Sequence, residues 1–191
     1  MTTARAQQRR LDLLPTLAES FAELGYRRST TAELARRCGL RENQLYRLWP
    51  SKKAMFIAAI GWLFDAAVAR WGEIADAGGP GTAAERILAY ESRHRGRSGL
   101  YRIIFAALSE TEDDEIRRSL RDLYRRLHAF IRDRVAEHRG GSSDPAASAR
   151  IAWAVIGLAT IGDITRELRL AAEPQRRSMM TATGARLLEG D

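Results

Sequence analysis

Five polar side chains within residues 41–47 have the chemistry needed to recognise the edges of DNA bases. Gln44 or Asn43 can form two hydrogen bonds with adenine, and Arg41 or Arg47 can donate two to guanine. Glu42 can accept a hydrogen bond from cytosine, or it can orient a neighbouring arginine. The same side chains would also suit a solvated helix face, so the surrounding elements decide the interpretation.

A helix-turn-helix pattern over residues 30–53 would place these side chains on one short helix. Thr30 and Glu33 have the spacing of a capping box, which predicts a first helix over about 31–38. Gly39 turns the chain, and leucines at three- and four-residue steps predict the inner face of a second helix over about 42–48. In such motifs the second helix enters the major groove and reads bases mainly with its N-terminal half.

The positive charge of the chain is concentrated in the same segment. Residues 1–53 contain 11 Lys and Arg against 5 Asp and Glu, whereas residues 54–191 contain 20 against 19. Nearly all of the formal net charge of +7 therefore lies on the part that carries the motif. Clustered positive charge is typical of proteins that bind a polyanion, so double-stranded DNA is the expected partner.

The chain is predicted to be all-α, because no stretch alternates β-branched and polar residues with a period of two. About nine helices are expected, over about 9–24, 31–38, 42–48, 52–75, 83–94, 98–109, 113–138, 146–170 and 174–188. Pro15 should either kink the first helix or leave its first turns as a separate, looser segment. The predicted domains are residues 1–53 and 54–191, connected by the fourth helix; 76–82 is the clearest loop.

The segment Ile151–Gly162 contains no charged residue. A helix that is apolar on every side needs cover on every side, and at about 18 Å this one is too short to span a bilayer. We expect one face to pack on its own domain and the other on a second subunit; the alternative is a central helix of a monomeric bundle. The predicted dimer contacts are Trp153, Ile156, Gly157, Thr160, Ile161 and Ile164.

Residues 13–57 resemble the DNA-binding region of TetR-type (TetR/AcrR) transcriptional regulators. The strongest match is LYRLWPSKKAM, which follows the family order of leucine-tyrosine, two residues, then aromatic-proline-serine-lysine. Further matching positions lie in register with it: Phe21, Gly25, Tyr26, Thr30, Leu34, Ala35, Gly39 and Leu40. The rest of the chain agrees with the family only in size, helix content and loop placement.

The resemblance implies an all-helical homodimer that binds a palindromic operator through three N-terminal helices. A larger C-terminal domain would dimerise and hold a small-molecule effector, whose binding changes the spacing of the two DNA-binding heads and releases the repressor. Tyr46 and Lys52 match family positions that contact phosphate. Phosphate contact is also expected from Arg28, Thr30 and Thr31, at the N-terminus of the second helix.

The chain departs from the family pattern mainly at base-reading positions. Arg41 stands where serine or a similar capping residue is usual, so the recognition helix lacks its ordinary N-cap. Asn43 and Gln44 replace a common glycine and a common threonine, which leaves the operator sequence open rather than DNA binding itself. Trp49 replaces a more usual phenylalanine or tyrosine in the core. Cys38 is expected to pack, with a redox-sensor role as the alternative.

Seven side chains of the C-terminal part are candidates for an effector pocket, since ligand sites combine apolar walls with a few polar groups. They are Tyr90, His94, Tyr101, Phe105, Tyr124, His128 and Trp153. Ordinary packing explains each of them equally well. The alternative function is a DNA-binding dimer that has no effector or responds to a partner protein; solid packing there, rather than an enclosed cavity on the order of a few hundred Å³, would favour it.

An enzyme is not expected, because the chain lacks a phosphate-binding loop, a nucleophile elbow and a zinc-type histidine pair. Glu91 and His94 have the spacing found in di-iron helical bundles, which makes such an enzyme a remote alternative. That site needs a second copy and further glutamates, so neither a metal nor another cofactor is expected.

The expected location is the cytoplasm, with no membrane partner. The N-terminus has no apolar core typical of a secretory signal, and no stretch of 18 uncharged apolar residues is present. A single cysteine rules out an internal disulfide framework.

Overall fold

The computed structural model describes residues 3–94, 96, 101–141 and 144–189. These residues form nine helices and no strand, which confirms the all-α class. The helices are α1 (Thr3–Arg28), α2 (Thr31–Arg37), α3 (Glu42–Tyr46), α4 (Lys52–Asp76), α5 (Ala83–His94), α6 (Arg102–Leu108), α7 (Asp114–His138), α8 (Pro145–Glu167) and α9 (Glu173–Glu189).

Most predicted helix borders agree with the structure within one residue, and four in the described residues differ by more. α1 begins at Thr3 rather than near residue 9 and continues past a kink at Gly25 to Arg28 rather than ending near 24. α3 ends at Tyr46 rather than near 48. α8 ends at Glu167 rather than near 170, because Arg169 adopts a left-handed backbone with φ 53° that cannot continue the helix. The predicted start of α6 near residue 98 lies outside the described residues.

The expected break at Pro15 was wrong, and the break lies at Gly25. Pro15 sits inside α1 with helical backbone around it, whereas Gly25 has φ 73° and ψ 167°. Proline removes the hydrogen bond to the carbonyl four residues earlier, at Leu11. Leu11 is 48% exposed, so the interrupted hydrogen bond lies on the outer side of α1, while the apolar face of the same helix stays buried.

By contacts, the chain forms two compact units. Unit 1 comprises Met1–Ala67 and Gly99–Leu123, and unit 2 comprises Val68–Ser98 and Tyr124–Asp191. These two units are defined by contacts between residues. The functional boundary between domains at residue 53 stays a prediction. In unit 1, α1 packs against α2 and α6.

An aromatic cluster forms the centre of unit 1. The ring centroids of Phe21 and Phe56 are 4.9 Å apart, and those of Tyr26 and Phe56 are 4.7 Å apart. Phe21 and Phe56 are fully buried, so the end of α1 and the start of α4 are fixed to each other. Aromatic pairs at these separations contribute about 0.5–1.5 kcal/mol beyond the burial of their area.

In unit 2, α9 packs against both α5 and α8. Ala84, Val135 and Leu188 form a buried cluster there. α5 and α9 approach closely at Gly184, where an added Cβ would lie 2.5 Å from a methyl group of Leu88. A side chain at residue 184 would therefore require the Leu88 side chain to shift.

α4 and α8 are long and apolar enough to cross a membrane by length and composition, with mean hydropathy of 1.4 and 1.3. Core helices pass the same test, so this is weak evidence for a membrane protein. α4 has a packed face that includes Met55, Phe56 and Ile60. On α8, by contrast, one side remains exposed, including Trp153 and Ile161.

We expect Gly25→Ala to destabilise the protein by about 1–3 kcal/mol, because its backbone lies in a region that is strained for any side chain. Gly61→Ala is the matched control: Gly61 lies within α4, and no atom lies within 4 Å of its added Cβ. This control should stabilise by about 0.5–1 kcal/mol. Urea denaturation of both variants checks this, and changes of the same sign would contradict it.

Candidate nucleic-acid interface

The turn between α2 and α3 has the hydrogen bonds of a helix end closed by glycine. Gly39 has φ 65°, and the N–H of Leu40 donates to the carbonyl of Ala35 at 2.9 Å. This arrangement satisfies the carbonyls at the end of α2 and sends the chain directly into α3. Leu34 and Leu45 are fully buried, so the two helices share one apolar contact.

The N-terminus of α2 has one half of the predicted capping box. The N–H of Glu33 donates to the hydroxyl of Thr30 at 3.2 Å. The carboxylate of Glu33 instead binds Arg36 at 2.7 Å and Arg37 at 2.8 Å. These hydrogen bonds from Arg36 and Arg37 lower the pKa of Glu33 to about 2. Arg37 also contacts Glu23 at 2.5 Å, which ties α2 to α1.

Gln44 supplies one half of a capping box at the start of α3, and Arg41 cannot supply the other half. The N-cap residue of α3 is Arg41, which has no side-chain cap hydrogen bond, as the sequence predicted. An arginine side chain has no acceptor, so it cannot satisfy the N–H groups of the first turn. The backbone N–H of Arg41 donates to Oε1 of Gln44 at 2.9 Å. This is the glutamine half of a capping box.

The predicted base-reading side chains all lie exposed, and two of the five have partners. Glu42 accepts a hydrogen bond from the hydroxyl of Thr31 at 3.2 Å, and Gln44 is held as described. Within the described part of the chain, the side chains of Arg41, Asn43 and Arg47 make no hydrogen bond or ion pair. These three side chains are therefore free to bind a ligand that approaches the exposed face of α3.

The predicted phosphate-contacting side chains differ in what they already bind. Tyr46 is 46% exposed, and Thr30 is exposed; the Thr30 hydroxyl accepts from the N–H of Glu33 and keeps its O–H to donate. Arg28 donates from Nε to the carbonyl of Leu24 at 3.0 Å. Thr31 donates to Glu42. Phosphate binding by Arg28 or Thr31 must therefore compete with an internal hydrogen bond.

Lys52 has a structural contact that the sequence did not predict. Its ammonium donates to the backbone carbonyls of Tyr26 at 2.9 Å and Ser29 at 3.0 Å, and lies 4.5 Å from the centroid of the Tyr26 ring. Carbonyls near the end of a helix attract a cation. Lys52 thus joins the end of α1 to the first residue of α4.

An acidic turn between α6 and α7 binds two basic residues of unit 1, and the sequence analysis missed it. Glu110 pairs with Arg27 at 2.8 Å, and Lys53 contacts Asp113 at 3.0 Å and Glu115 at 2.9 Å. The hydrogen bond from Lys53 lowers the pKa of Asp113. The available signal was the run ETEDDE at residues 110–115, opposite in sign to the N-terminal segment.

Cys38 is half-buried, and burial raises the pKa of its thiol, which the more distant Arg9 only partly offsets. A raised pKa keeps the thiol protonated and poorly nucleophilic. Its surroundings therefore fit packing better than redox sensing.

The comparisons with known proteins agree with this geometry. Residues 13–59 match the family model described as bacterial regulatory proteins, tetR family. The nucleoid occlusion factor SlmA of Vibrio campbellii is 30% identical over 167 residues, covering 82% of this chain and 83% of that protein. The chain belongs to the TetR family.

Solved structures share the fold of this TetR-family chain along nearly its whole length. A TetR-family regulator from Cytophaga hutchinsonii superposes with a TM-score of 0.77 at 14% identity, covering 100% of this chain and 98% of that one. PfmR, a TetR-family regulator from Thermus thermophilus, gives 0.66 at 18% identity, covering 94% and 95%. These structures support the fold, and the family model and the SlmA relative identify the protein as a DNA-binding regulator of this family.

The side chains predicted to line an effector pocket form separate ring contacts. Tyr90 stacks on His94 at 4.3 Å, and His128 lies 4.6 Å from Trp153, both in unit 2. Tyr101 and Phe105 form an edge-to-face pair in unit 1. Tyr124, in unit 2, is partly exposed. The assignment of these seven residues to one pocket stays a prediction.

A cavity of about 30 Å³ in unit 2 has other lining residues. Its walls come from α5, α8 and α9 and are mostly charged, including Glu91, Asp163, Arg166 and Arg176. Ligand sites for drug-sized molecules span about 300–1,000 Å³. This cavity has room for a water molecule rather than for such a ligand.

Glu91 and His94 each have another partner. Glu91 accepts a hydrogen bond from Nε1 of Trp71 at 2.8 Å, and Nδ1 of His94 lies 2.9 Å from the carbonyl oxygen of Tyr90. The described residues contain no group of three or more His, Cys, Asp and Glu side chains placed to hold a metal ion.

The apolar helix α8 is buried on one side and exposed on the other. Ala152 and Ile156 are buried inside unit 2, whereas Trp153 is 52% and Ile161 is 49% exposed. Gly157 is exposed between them, and Thr160 and Ile164 are partly exposed. Ile156 thus packs within its own subunit, while the other five predicted dimer contacts reach the surface.

We expect Lys52→Ala to lower the free energy of unfolding by about 1–2 kcal/mol in the absence of DNA, because it leaves two carbonyls without their charged donor. Lys53→Ala is the control, since Lys53 holds only exposed carboxylates and its loss should matter less. Thermal and urea denaturation of the free protein check this. Unchanged stability in Lys52→Ala would show that its contacts with the carbonyls of Tyr26 and Ser29 do not stabilise the fold.

Proposed function

We propose that the protein is a homodimeric repressor that binds a palindromic operator and is released from it by a small-molecule effector. It would act in the cytoplasm, on chromosomal DNA, without catalysis or a cofactor. The observation that carries the proposal is the exposed face of α3. Arg41, Asn43 and Arg47 have no internal partner there among the described residues, while Leu45 behind them is fully buried.

This face suits the major groove chemically. Guanidinium and amide groups near the start of a recognition helix can reach base edges, and Tyr46 and Thr30 flank them with hydroxyls that suit phosphate oxygens.

The homodimer is supported by the outward face of α8. Trp153, Gly157 and Ile161 follow one another at four-residue steps, so they share one side of the helix. A contiguous exposed apolar patch marks an interaction surface. A second copy is the favoured occupant, because a palindromic operator presents two equivalent half-sites and requires two recognition helices.

A second candidate is a DNA-binding dimer whose signal is not a small molecule. The charged cavity among α5, α8 and α9 favours it, since a volume of about 30 Å³ does not fit a drug-sized ligand; the larger hollow of about 650 Å³ along α9 is open to solvent. The name of the SlmA relative, a nucleoid occlusion factor, mentions no small molecule, and the likeness covers most of both chains. Thermal-shift screening of small molecules separates the candidates: a compound that raises Tm and lowers operator affinity favours the effector.

We expect footprinting of the full chain on DNA flanking its own gene to protect a palindrome, with half-site centres about 34 Å apart or a multiple of that. Binding should weaken steeply with salt, since phosphate contacts release counterions. Protection of a single half-site, or an affinity for DNA that does not change with salt between about 50 and 200 mM, would contradict the proposal.

We expect Ile161→Asp to shift the chain from dimer to monomer and to weaken operator binding, because it places a charge on the apolar face of α8. Leu11→Asp is a matched control, since Leu11 on α1 is 48% exposed against 49% for Ile161. Sedimentation at micromolar concentration measures the oligomeric state. If Ile161→Asp stays dimeric like the control, α8 is not the interface.

A further inference from the structure

The orientation of the Gln44 amide is fixed by its capping role. The N–H of Arg41 is a donor, so the atom that meets it at 2.9 Å must be the oxygen of the amide rather than its nitrogen. The return bond, from the N–H of Gln44 to the carbonyl of Arg41, is also 2.9 Å long. Both ends of Gln44 are therefore held against the first turn of α3.

The free end of the same amide is a donor. Gln44 is exposed, and its Nε2 donates to none of the described residues. With its oxygen turned toward the N–H of Arg41, the amide presents its NH₂ group to the exposed side of α3. Pairing with adenine would need that same oxygen to accept a second hydrogen bond, from N6, through its other lone pair.

We propose that Gln44 reads the operator as a hydrogen-bond donor only and selects guanine. The major-groove edge of guanine carries two adjacent acceptors, N7 and O6. Adenine places the donor N6 beside its N7, thymine has the single acceptor O4 beside its methyl group, and cytosine presents the donor N4. The inference rests on the proposed function, because it takes this face of α3 to enter the major groove. It replaces the adenine pairing expected from the sequence.

Gln44→Glu separates capping from reading. The carboxylate keeps an oxygen for the N–H of Arg41, and it replaces the NH₂ donor with a second acceptor. Gln44→Ala removes both functions. The full chain and the two variants are each used to select from a library of randomised duplex DNA, and the Tm of each free protein is measured.

The wild type should enrich guanine at one position of each half-site, and Gln44→Glu should exchange it for cytosine, whose N4 donates to a carboxylate. The change in preference should be roughly 5- to 150-fold, the range that a good base contact provides. Gln44→Glu should keep the wild-type Tm, whereas Gln44→Ala should lose about 2–4 °C and most of its preference there.

Three results would overturn the inference. Enrichment of adenine by the wild type, at the position that responds to residue 44, would show that Gln44 pairs through both groups. Identical selected sequences for the wild type and Gln44→Glu would show that Gln44 reads no base, and would leave the proposed function standing. If the wild type binds DNA in a salt-dependent way but selects no sequence, the proposal of a specific operator would be overturned as well.

Discussion

The contact of Lys52 with the end of α1 is the constraint on which the DNA-binding part of unit 1 depends. One ammonium holds the carbonyls of Tyr26 and Ser29 and lies over the Tyr26 ring, which itself packs on Phe56 of α4. The positive φ of Gly25 lets the chain turn so that these carbonyls face the lysine. α2 begins two residues after Ser29, so the same contact sets the direction in which the helix-turn-helix leaves α1.

α3 illustrates how a short helix is held in place by its surroundings. Five residues are too few to form a stable helix alone in water. Its stability comes from Leu45, Leu48 and Trp49, which are buried beneath it, and from the Gln44 side chain at its start. The exposed face and the stabilising contacts therefore involve some of the same residues, so the base-reading surface cannot be altered without regard to the helix.

Local patterns in the sequence predicted the elements, whereas contacts between distant residues could not be read from it. Gly39 and Thr30 marked the turn and the cap because their effects act within a few residues. The prediction of a break at Pro15 was wrong because the destabilising effect of a proline on a helix is local. Burial of the surrounding apolar face outweighed that effect. The bonds of Lys52 and Lys53 join residues 23 to 60 positions apart, which no local pattern encodes. For the aromatic effector candidates, residue types could be read from the sequence, but not the distances that would make them one site.

The acidic turn at residues 110–115 has a consequence for the time that the protein spends on the wrong DNA. Arg27 and Lys53 are neutralised by its carboxylates, and Glu33 does the same for Arg36 and Arg37. Only cations that are free to meet phosphates add to sequence-independent affinity. Fewer free cations give shorter residence at each random site, so a dimer searching a chromosome moves on sooner.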